Sequence, residues 1–279
     1  MQPSTRPVIT FLTDFGPDAA AAICRGVMLG IAPDAQIVDI SHSVRKYAIR
    51  DGAYLLWISL PWMPVGVHVA VVDPGVGTTR RPIGLRTGRG DVLIGPDNGL
   101  LTAAAAALGG IVDARVLENR AWMLPKTSST FHGRDIFSPV AGHLAIGGAF
   151  EAVGPRVDVA SLVSIDFPTP VVAEGALDTT IVYIASFGNL HLAGGANDVA
   201  RAFGPIAAGT PFVAEFEAAD GRPAHAEQAL WVRTFGDSPI GAPMLYEDSF
   251  GRLAYADNQS DAAQRLGARV DQHVRIRRA

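Results

Sequence analysis

The sequence has a single cysteine, Cys24, so no intrachain disulfide can form and a reducing compartment fits the chain. Cys24 lies in the mostly apolar stretch Ala19 to Ala32, which reads as a place for a buried structural thiol and not for a nucleophile. Charge is scarce as well: charged residues make up 18% of the chain and the formal net charge is −4. The densest basic cluster is the terminal run Arg275-Ile276-Arg277-Arg278, which reads as a solvated end, so a nucleic-acid partner is not expected. Met1 to Arg6 lacks the apolar core of a signal peptide. Gly52 to Val72 is free of charged residues and long enough to span a bilayer. Pro61, Pro64, Gly66 and His68 break it in the middle, which makes it a helix, a loop and a strand. The expectation is a cytoplasmic protein with no membrane partner.

Several chemistries are missing too. The seven histidines, at 42, 68, 132, 143, 191, 225 and 273, show no zinc-ligand spacing, so no metal is expected. No Gly-x-Ser-x-Gly elbow occurs, which argues against a serine hydrolase. Asp73-Pro74-Gly75-Val76-Gly77 is not a phosphate-binding loop, since no Lys-Ser or Lys-Thr follows, and it lacks the third glycine of a dinucleotide fingerprint.

What remains is ample for a packed core: 48% of residues are hydrophobic. Thirty glycines and nineteen prolines imply many turns and exclude an all-helical bundle. The first half alternates. Val8 to Leu12, Gln36 to Ile40, Val67 to Val72 and Val92 to Ile94 read as strands, while Ala19 to Ala32, Arg50 to Leu60 and Leu100 to Leu108 read as helices. This rhythm predicts an α/β domain over residues 1–170, with a mostly parallel sheet and helices on both faces. Phe167-Pro168-Thr169-Pro170 reads as a linker. Beyond it, Thr179 to Ile184, Phe212 to Phe216, Ala229 to Phe235, Met244 to Glu247 and Leu253 to Ala256 read as short strands, and Asp261 to Leu266 as a helix. Residues 171–279 are therefore expected to form a smaller β-barrel-like domain, a sandwich being the alternative.

Ligand chemistry in such sheets sits at the carboxyl ends of strands. Three polar, glycine-containing turns follow strands: Thr13 to Gly16, Asp73 to Gly77 and Pro96 to Gly99. They are expected to cluster. Arg80 is spaced to fold back over the Asp73 turn, whereas Arg81 reads as solvated. His132 stands at a loop–helix junction before Gly133, where an imidazole is accessible and titratable, although a lone histidine is more often structural. Arg134 and Asp135 read as a local ion pair. Asp14 ends the first strand; its carboxylate suits the two hydroxyls of a ribose, or else caps the next helix. Asp97 and Asn98 read as turn formers.

Taken together, ITFLTDFG at Ile9 to Gly16, IVDISHSV at Ile37 to Val44, VVDPGVGTTRR at Val71 to Arg81, GPDNGLL at Gly95 to Leu101, STFHGRDIFSP at Ser129 to Pro139 and SFGNL at Ser186 to Leu190 carry a resemblance. In this order the chain resembles the S-adenosyl-L-methionine hydroxide adenosyltransferases, relatives of the fluorinating and chlorinating enzymes that use the same substrate. A weaker match runs from Asp248-Ser249-Phe250-Gly251 to Asn258-Gln259. The resemblance implies hydrolysis of S-adenosyl-L-methionine at the ribose 5′ carbon, giving adenosine and L-methionine, with no cofactor. It implies that Asp73, Arg80 and His132 hold and activate water, that Asp14 meets the ribose, and that Tyr47 lies near the nucleoside. Phe187 and Asn189 would contact adenine, with Ser249, Asn258 and Gln259 completing the substrate contacts, the last two through backbone. A homotrimer with sites shared between subunits is also implied. This chain departs from the family pattern at Ala185-Ser186, at His191-Leu192-Ala193 and at Ser260, all of which bear on the methionine end. Two other readings stay open: a halide-dependent adenosyltransferase, and a nucleoside- or sulfonium-binding protein with little turnover.

Overall fold

The structure, a computed structural model, describes residues 6–219 and 221–279. Met1 to Thr5, most of the stretch read for a leader, lie outside it. The chain divides into two compact units, the first ending at Asp166 and the second beginning at Phe167.

The first unit is built on a six-stranded sheet. In chain order it comprises β1 (Val8–Thr13), α1 (Ala20–Ile31), β2 (Gln36–Ser41), α2 (Ile49–Ser59), β3 (Val67–Val71), β4 (Pro82–Thr87), β5 (Val92–Pro96), α3 (Thr102–Ala107), β6 (Ile111–Val116) and α4 (Ser138–Ala145). The strand order is β2-β1-β3-β5-β4-β6. The β1–β2, β1–β3 and β3–β5 pairings are parallel; β4 runs antiparallel to both β5 and β6. The sheet's alternation assigns its faces. Ile9, Phe11, Val67, Val69 and Val71 pack with Ala21, Cys24 and Met28 of α1 and Val140 and Ala141 of α4. On the other face α2 approaches so closely that a Cβ on Gly52 would lie 2.8 Å from Leu100 and 3.0 Å from Val72. Cys24 is fully buried, as its apolar surroundings predict. Strands β4 and β6 escape the sequence reading. β4 opens with Pro82 and carries Gly84 and Arg86, poor strand formers. It is paired on both sides, and the space over Gly84 is filled by Phe150, Ile94 and Leu117.

A buried polar knot ties this sheet together. Thr10 Oγ1 meets His68 Nδ1 at 2.9 Å, and His68 Nε2 meets Asp91 Oδ1 at 2.9 Å. Asp91 also accepts from Arg89 Nε at 2.7 Å, Arg89 Nη2 at 2.9 Å and Thr87 Oγ1 at 3.2 Å. Arg89 reaches on to the Leu60 carbonyl just after α2, at 3.1 Å. Burial alone would push the Asp91 carboxyl up, yet His68 and Arg89 hold it well below the usual carboxylate range.

The second unit comprises β7 (Val171–Ala173), β8 (Ala176–Ile184), β9 (Leu190–Gly195), α5 (Ala196–Phe203), β10 (Pro211–Phe216), β11 (His225–Trp231), β12 (Pro243–Glu247), β13 (Arg252–Asp257), α6 (Ala262–Leu266) and β14 (His273–Arg278). The order β14-β10-β11-β12-β13-β9-β8 closes on itself through a β14–β8 pairing, and β7 lies outside on β8. This is a closed barrel of seven strands, filled by Leu177, Ile181, Leu192, Phe212, Leu245, Tyr255, Val274 and Ile276 among others. One expectation is corrected here. The arginines of the terminal run are exposed, as read, but the run is strand β14 and not simply an end. Val274 and Ile276 point inward, while Arg275 pairs with Asp178 and Arg277 with Glu215. Among the described residues, no helix is long and apolar enough to cross a membrane.

Removing the carboxylate at the centre of the polar knot leaves an unanswered donor on the fully buried His68 and others on the partly buried Arg89. Asp91→Ala is expected to lower unfolding stability by about 3–5 kcal/mol, read as a fall in the denaturation midpoint; a loss under about 1 kcal/mol would contradict this account of the sheet.

Candidate active site

The turns after β1, β3 and β5 gather at one end of the first unit's sheet, where parallel strands present their carboxyl ends. Asn98 Nδ2 donates to the Val72 carbonyl at 2.9 Å, joining the β5 turn to the β3 turn. Two close approaches bring in the loop before α4. Gly77, at φ +77°, lies so near this loop that a Cβ there would sit 2.2 Å from the Ser129 carbonyl oxygen. A Cβ on Gly133 would meet the Phe15 ring at 3.1 Å, and Phe15 stands edge-on to Phe131 with centroids 5.8 Å apart. Glycine at 77 is demanded twice, by the sign of φ and by the contact.

These approaches set Asp73, Arg80 and His132 against one another. Arg80 Nε donates to Asp73 Oδ1 at 3.1 Å, and Arg80 Nη2 donates to Asp73 Oδ2, forming a bidentate pair. The same Nη2 lies 3.1 Å from His132 Nδ1. The pair is almost dry: the Arg80 and Asp73 side chains are 7% and 4% exposed. Arg80 also lies over the Phe137 ring, 5.4 Å from its centroid. Its remaining nitrogen, Nη1, is buried and has no partner among the described residues. An arginine donates only, so His132 Nδ1 accepts and the neutral ring carries its proton on Nε2. Burial and the Arg80 cation both push the His132 pKa below its ordinary value, opposed by the Asp73 charge, so the ring is neutral at pH 7. The cluster thus offers a neutral imidazole, a compensated carboxylate and an unanswered guanidinium donor.

His132 precedes one π-type turn, Gly133–Phe137, that leads into α4; such turns recur at functional sites. Ser138 Oγ donates to the Gly133 carbonyl at 2.7 Å within that turn. Arg134 and Asp135 form the expected local ion pair, and Asp135 Oδ2 accepts from the Ser128 backbone at 2.7 Å, pinning the Ser/Thr-rich loop.

Asp14 does not cap a helix: α1 begins at Ala20, with Ala19 ahead of it and no side-chain cap. Its Oδ2 accepts from the Tyr47 backbone N–H at 2.9 Å. Tyr47 stands 70% exposed at φ 66°, a backbone conformation costly for a non-glycine residue. Arg81 is not merely solvated, as the sequence had suggested. It pairs with the buried Asp97 and donates to the Ser161 carbonyl at 2.6 Å. Asp97 and Asn98 accordingly do more than form a turn.

In the second unit a cleft of about 800 Å³ is lined by Phe187, Asn189, Asn258 and Gln259, with Phe235 and Asp261 beside them. Phe187 is 79% and Phe235 40% exposed, an unusual display of two aromatic rings on one cleft. Phe235 was missed because Ala229 to Phe235 reads as a strand; β11 ends at Trp231 and Phe235 opens a single 3₁₀ turn. The Thr234-Phe235-Gly236-Asp237 pattern, a capping box, was the available signal. Asn258 has its backbone N–H on Ala242, its carbonyl on Gly241 and its amide on Ser238, so it builds the wall. Gln259, exposed at φ 54°, faces outward. Ser249 stands apart from the cleft lining, in the exposed turn between β12 and β13. That turn is fixed by Asp248, which bonds His191 Nδ1 at 2.8 Å and accepts from the Phe250 and Arg252 N–H groups. Among the described residues, no group of three His, Cys, Asp or Glu side chains is placed to hold a metal ion.

Comparison with known proteins finds relatives over nearly the whole length of both units. Residues 9–154 match the model of the SAM hydroxide adenosyltransferase N-terminal domain, and residues 179–275 that of the C-terminal domain. A Salinispora arenicola protein named (R)-S-adenosyl-L-methionine hydrolase is 40% identical, covering 98% of each chain. A Thermus thermophilus protein of the same name is 36% identical over 97% of this chain and 99% of its own. A fluorinase from Actinoplanes is more distant, 28% identical over the full length of both. A crystal structure of an uncharacterized conserved protein from Thermotoga maritima superposes with a TM-score of 0.88 at 32% identity, covering 97% of this chain and all of the other.

The electrostatics of His132 are open to direct measurement. Its NMR titration midpoint is expected below the ordinary value of about 6.5. Arg80→Met, which removes the cation while keeping apolar bulk on Phe137, should move it up; Asp73→Asn should move it further down. The unfolded chain takes up this proton at higher pH than the folded one. His132 therefore contributes stability above the unfolded value, and that contribution is lost as pH falls through the folded value. A midpoint above 6.5 would contradict the arrangement.

Proposed function

The chain belongs to the S-adenosyl-L-methionine hydroxide adenosyltransferase family, and from that premise we propose that it hydrolyses S-adenosyl-L-methionine to adenosine and L-methionine. The observation that carries the reading is the convergence of Asp73, Arg80 and His132, from three separate segments, into one hydrogen-bonded group with a free guanidinium donor.

The reaction breaks the bond between the ribose 5′ carbon and the sulfonium. The bonding pair goes to sulfur, so methionine departs as a neutral thioether. A water oxygen forms the new bond to carbon and one proton is released. Because the leaving group needs no acid assistance, the site's task is to hold a water in line with the carbon–sulfur bond. Arg80, held by His132 Nδ1, donates from Nη1 to one lone pair of that water and leaves the other to attack the carbon. The proton passes to the Asp73 carboxylate, whose oxygens keep lone pairs beyond those that bond Arg80. Positioned proton transfer is typically worth ~10² to 10⁴ in rate.

The nucleoside is divided between the two units' residues. Asp14 has one oxygen on Tyr47 and keeps the other for the ribose hydroxyls, with the exposed Tyr47 ring beside it. Adenine stacks in the Phe187 and Phe235 cleft, with Asn189 and the backbone at Gln259 on its edges. Ser249, from the turn between β12 and β13, is assigned to the substrate contacts as well. We further propose a homotrimer in which each site draws its two halves from neighbouring copies. A cytoplasmic location is proposed as well, in keeping with the free and buried Cys24.

Purified protein given S-adenosyl-L-methionine in halide-free buffer is expected to release adenosine and methionine in equal amounts. In ¹⁸O-water the label should enter the adenosine 5′ hydroxyl. Alanine at Asp73, Arg80 or His132 should each lower turnover by ~10² or more, and pairs should lose far less than the product of the singles. Ligand shifts without product would mean a binding protein, and turnover only with added halide would mean the halogenating chemistry. Separately, light scattering at micromolar protein should give three times the 29.3 kDa chain mass; a monomer would remove the shared-site arrangement.

A further inference from the structure

We propose that Asp261 accepts a hydrogen bond from the 6-amino group of the substrate's adenine and so makes this protein select 6-aminopurines over 6-oxopurines. The proposal rests on the reading above that the cleft of the second unit takes the base.

Two exposed rings, Phe187 and Phe235, give this cleft its affinity for a flat group. Phe235 is steadied from behind by Tyr246, edge-on with centroids 5.2 Å apart. Stacking discriminates poorly between purines, because every base has a π-face. Selection must come from groups at the edge of the ring. The cleft has two carboxylates, and they are in opposite states. Asp257 is fully buried and answered by Arg265, through Nε at 2.6 Å and Nη2 at 2.8 Å. Asp261 uses Oδ1 to accept from the Gln264 N–H at 2.7 Å, while Oδ2 has no partner among the described residues.

The place of that carboxylate follows from Gly188. This residue sits at φ +81°, and a Cβ on it would lie 2.0 Å from Asp261 Oδ1 and 2.4 Å from its carboxyl carbon. The Asp261 carboxylate therefore fills the space a side chain at 188 would take, directly against the turn that carries Phe187 and Asn189. The turn is fastened there by the Ala263 N–H, which donates to the Gly188 carbonyl at 3.0 Å.

An ionised carboxylate only accepts. Adenine attached to ribose through N9 has one N–H donor, its 6-amino group; N1, N3 and N7 are acceptors. The free oxygen of Asp261 thus has a single possible partner on the base. In hypoxanthine the same position carries a carbonyl oxygen, which would face the carboxylate lone pair to lone pair. A site whose polar group is left unpaired by the wrong ligand discriminates far better than an apolar pocket does.

The test uses the product nucleosides, which lack the methionine portion and its ammonium. Calorimetric titration of the full-length protein should show adenosine binding roughly 10²-fold more tightly than inosine. Asp261→Asn retains the helix cap, since asparagine caps as well as aspartate, and its amide turns to donate or accept. That variant should cut the adenosine-to-inosine ratio at least tenfold, mainly by improving inosine relative to adenosine. Asp261→Ser, also a competent cap, should do the same. An unchanged ratio in both variants, or equal weakening of both nucleosides, would overturn the proposal and leave Asp261 as a cap. Wild-type protein that binds the two nucleosides equally would also overturn it. If the wild type binds neither adenosine nor S-adenosyl-L-methionine, the functional reading itself falls.

Discussion

A guanidinium in a nearly dry site has to find partners for its donors, and Arg80 finds them in two directions. Asp73 takes one edge of the fork with both carboxylate oxygens, and His132 takes a corner through Nδ1. This one interaction determines the state of everything near it. It compensates the Asp73 charge, adds to burial in keeping His132 neutral with its proton on Nε2, and leaves Nη1 as a donor with no acceptor among the described residues. A lysine could not do this, because it lacks the planar fork that binds a carboxylate bidentately while reaching a third group.

The rest of the first unit serves to hold that cluster still. The Asp73 turn must pass within contact of the Ser129 carbonyl, which only glycine at 77 permits. The His132 loop lies against Phe15 at Gly133, where a Cβ would press on the ring. Asp135 pins the loop at Ser128 from the other side. Beneath these contacts, the Thr10–His68–Asp91–Arg89 knot locks β1 and β3 to the end of α2, its first three members fully buried. A sheet fixed in this way gives the turns at its carboxyl end a rigid base, which is what positioning a water requires.

The second unit solves a different problem. A closed barrel has no free edge, and its loops are the parts free to bind. Here those loops display two aromatic rings and one carboxylate with an unshared oxygen. Stacking and one polar edge contact suit a nucleobase better than a flexible chain. On the proposed reading, the methionine portion would meet a surface where this chain departs from the family pattern, around Ala185, His191 and Ser260. There His191 is paired with Asp248.

Much of this was visible in the sequence, for physical reasons. Long β-branched runs such as Val67 to Val71 and the Ala-rich, amphipathic Ala20 to Ile31 specify their elements locally, so the α/β alternation and the later cluster of strands were readable. The glycine-containing turns also declared themselves. Other elements were hidden because their stability is not local. Strand β4 begins with proline and holds Gly84, and it exists because β5 and β6 flank it and Phe150 fills the gap. Strand β14 looked like loose arginines, although the alternation of Val274 and Ile276 with Arg275 and Arg277 was present in the sequence; the partners Asp178 and Glu215 lie far away in the chain. Arg81 is indistinguishable from Arg80 by composition, and only the fold sends one to Asp97 and the other to Asp73. The sequence by itself determined which residue types were available for chemistry. That 73, 80 and 132 meet, that Asp14 holds Tyr47 rather than a helix, and that Asp261 stands over Gly188 were decided by long-range packing, where backbone approach depends on the absence of side chains at a few glycines.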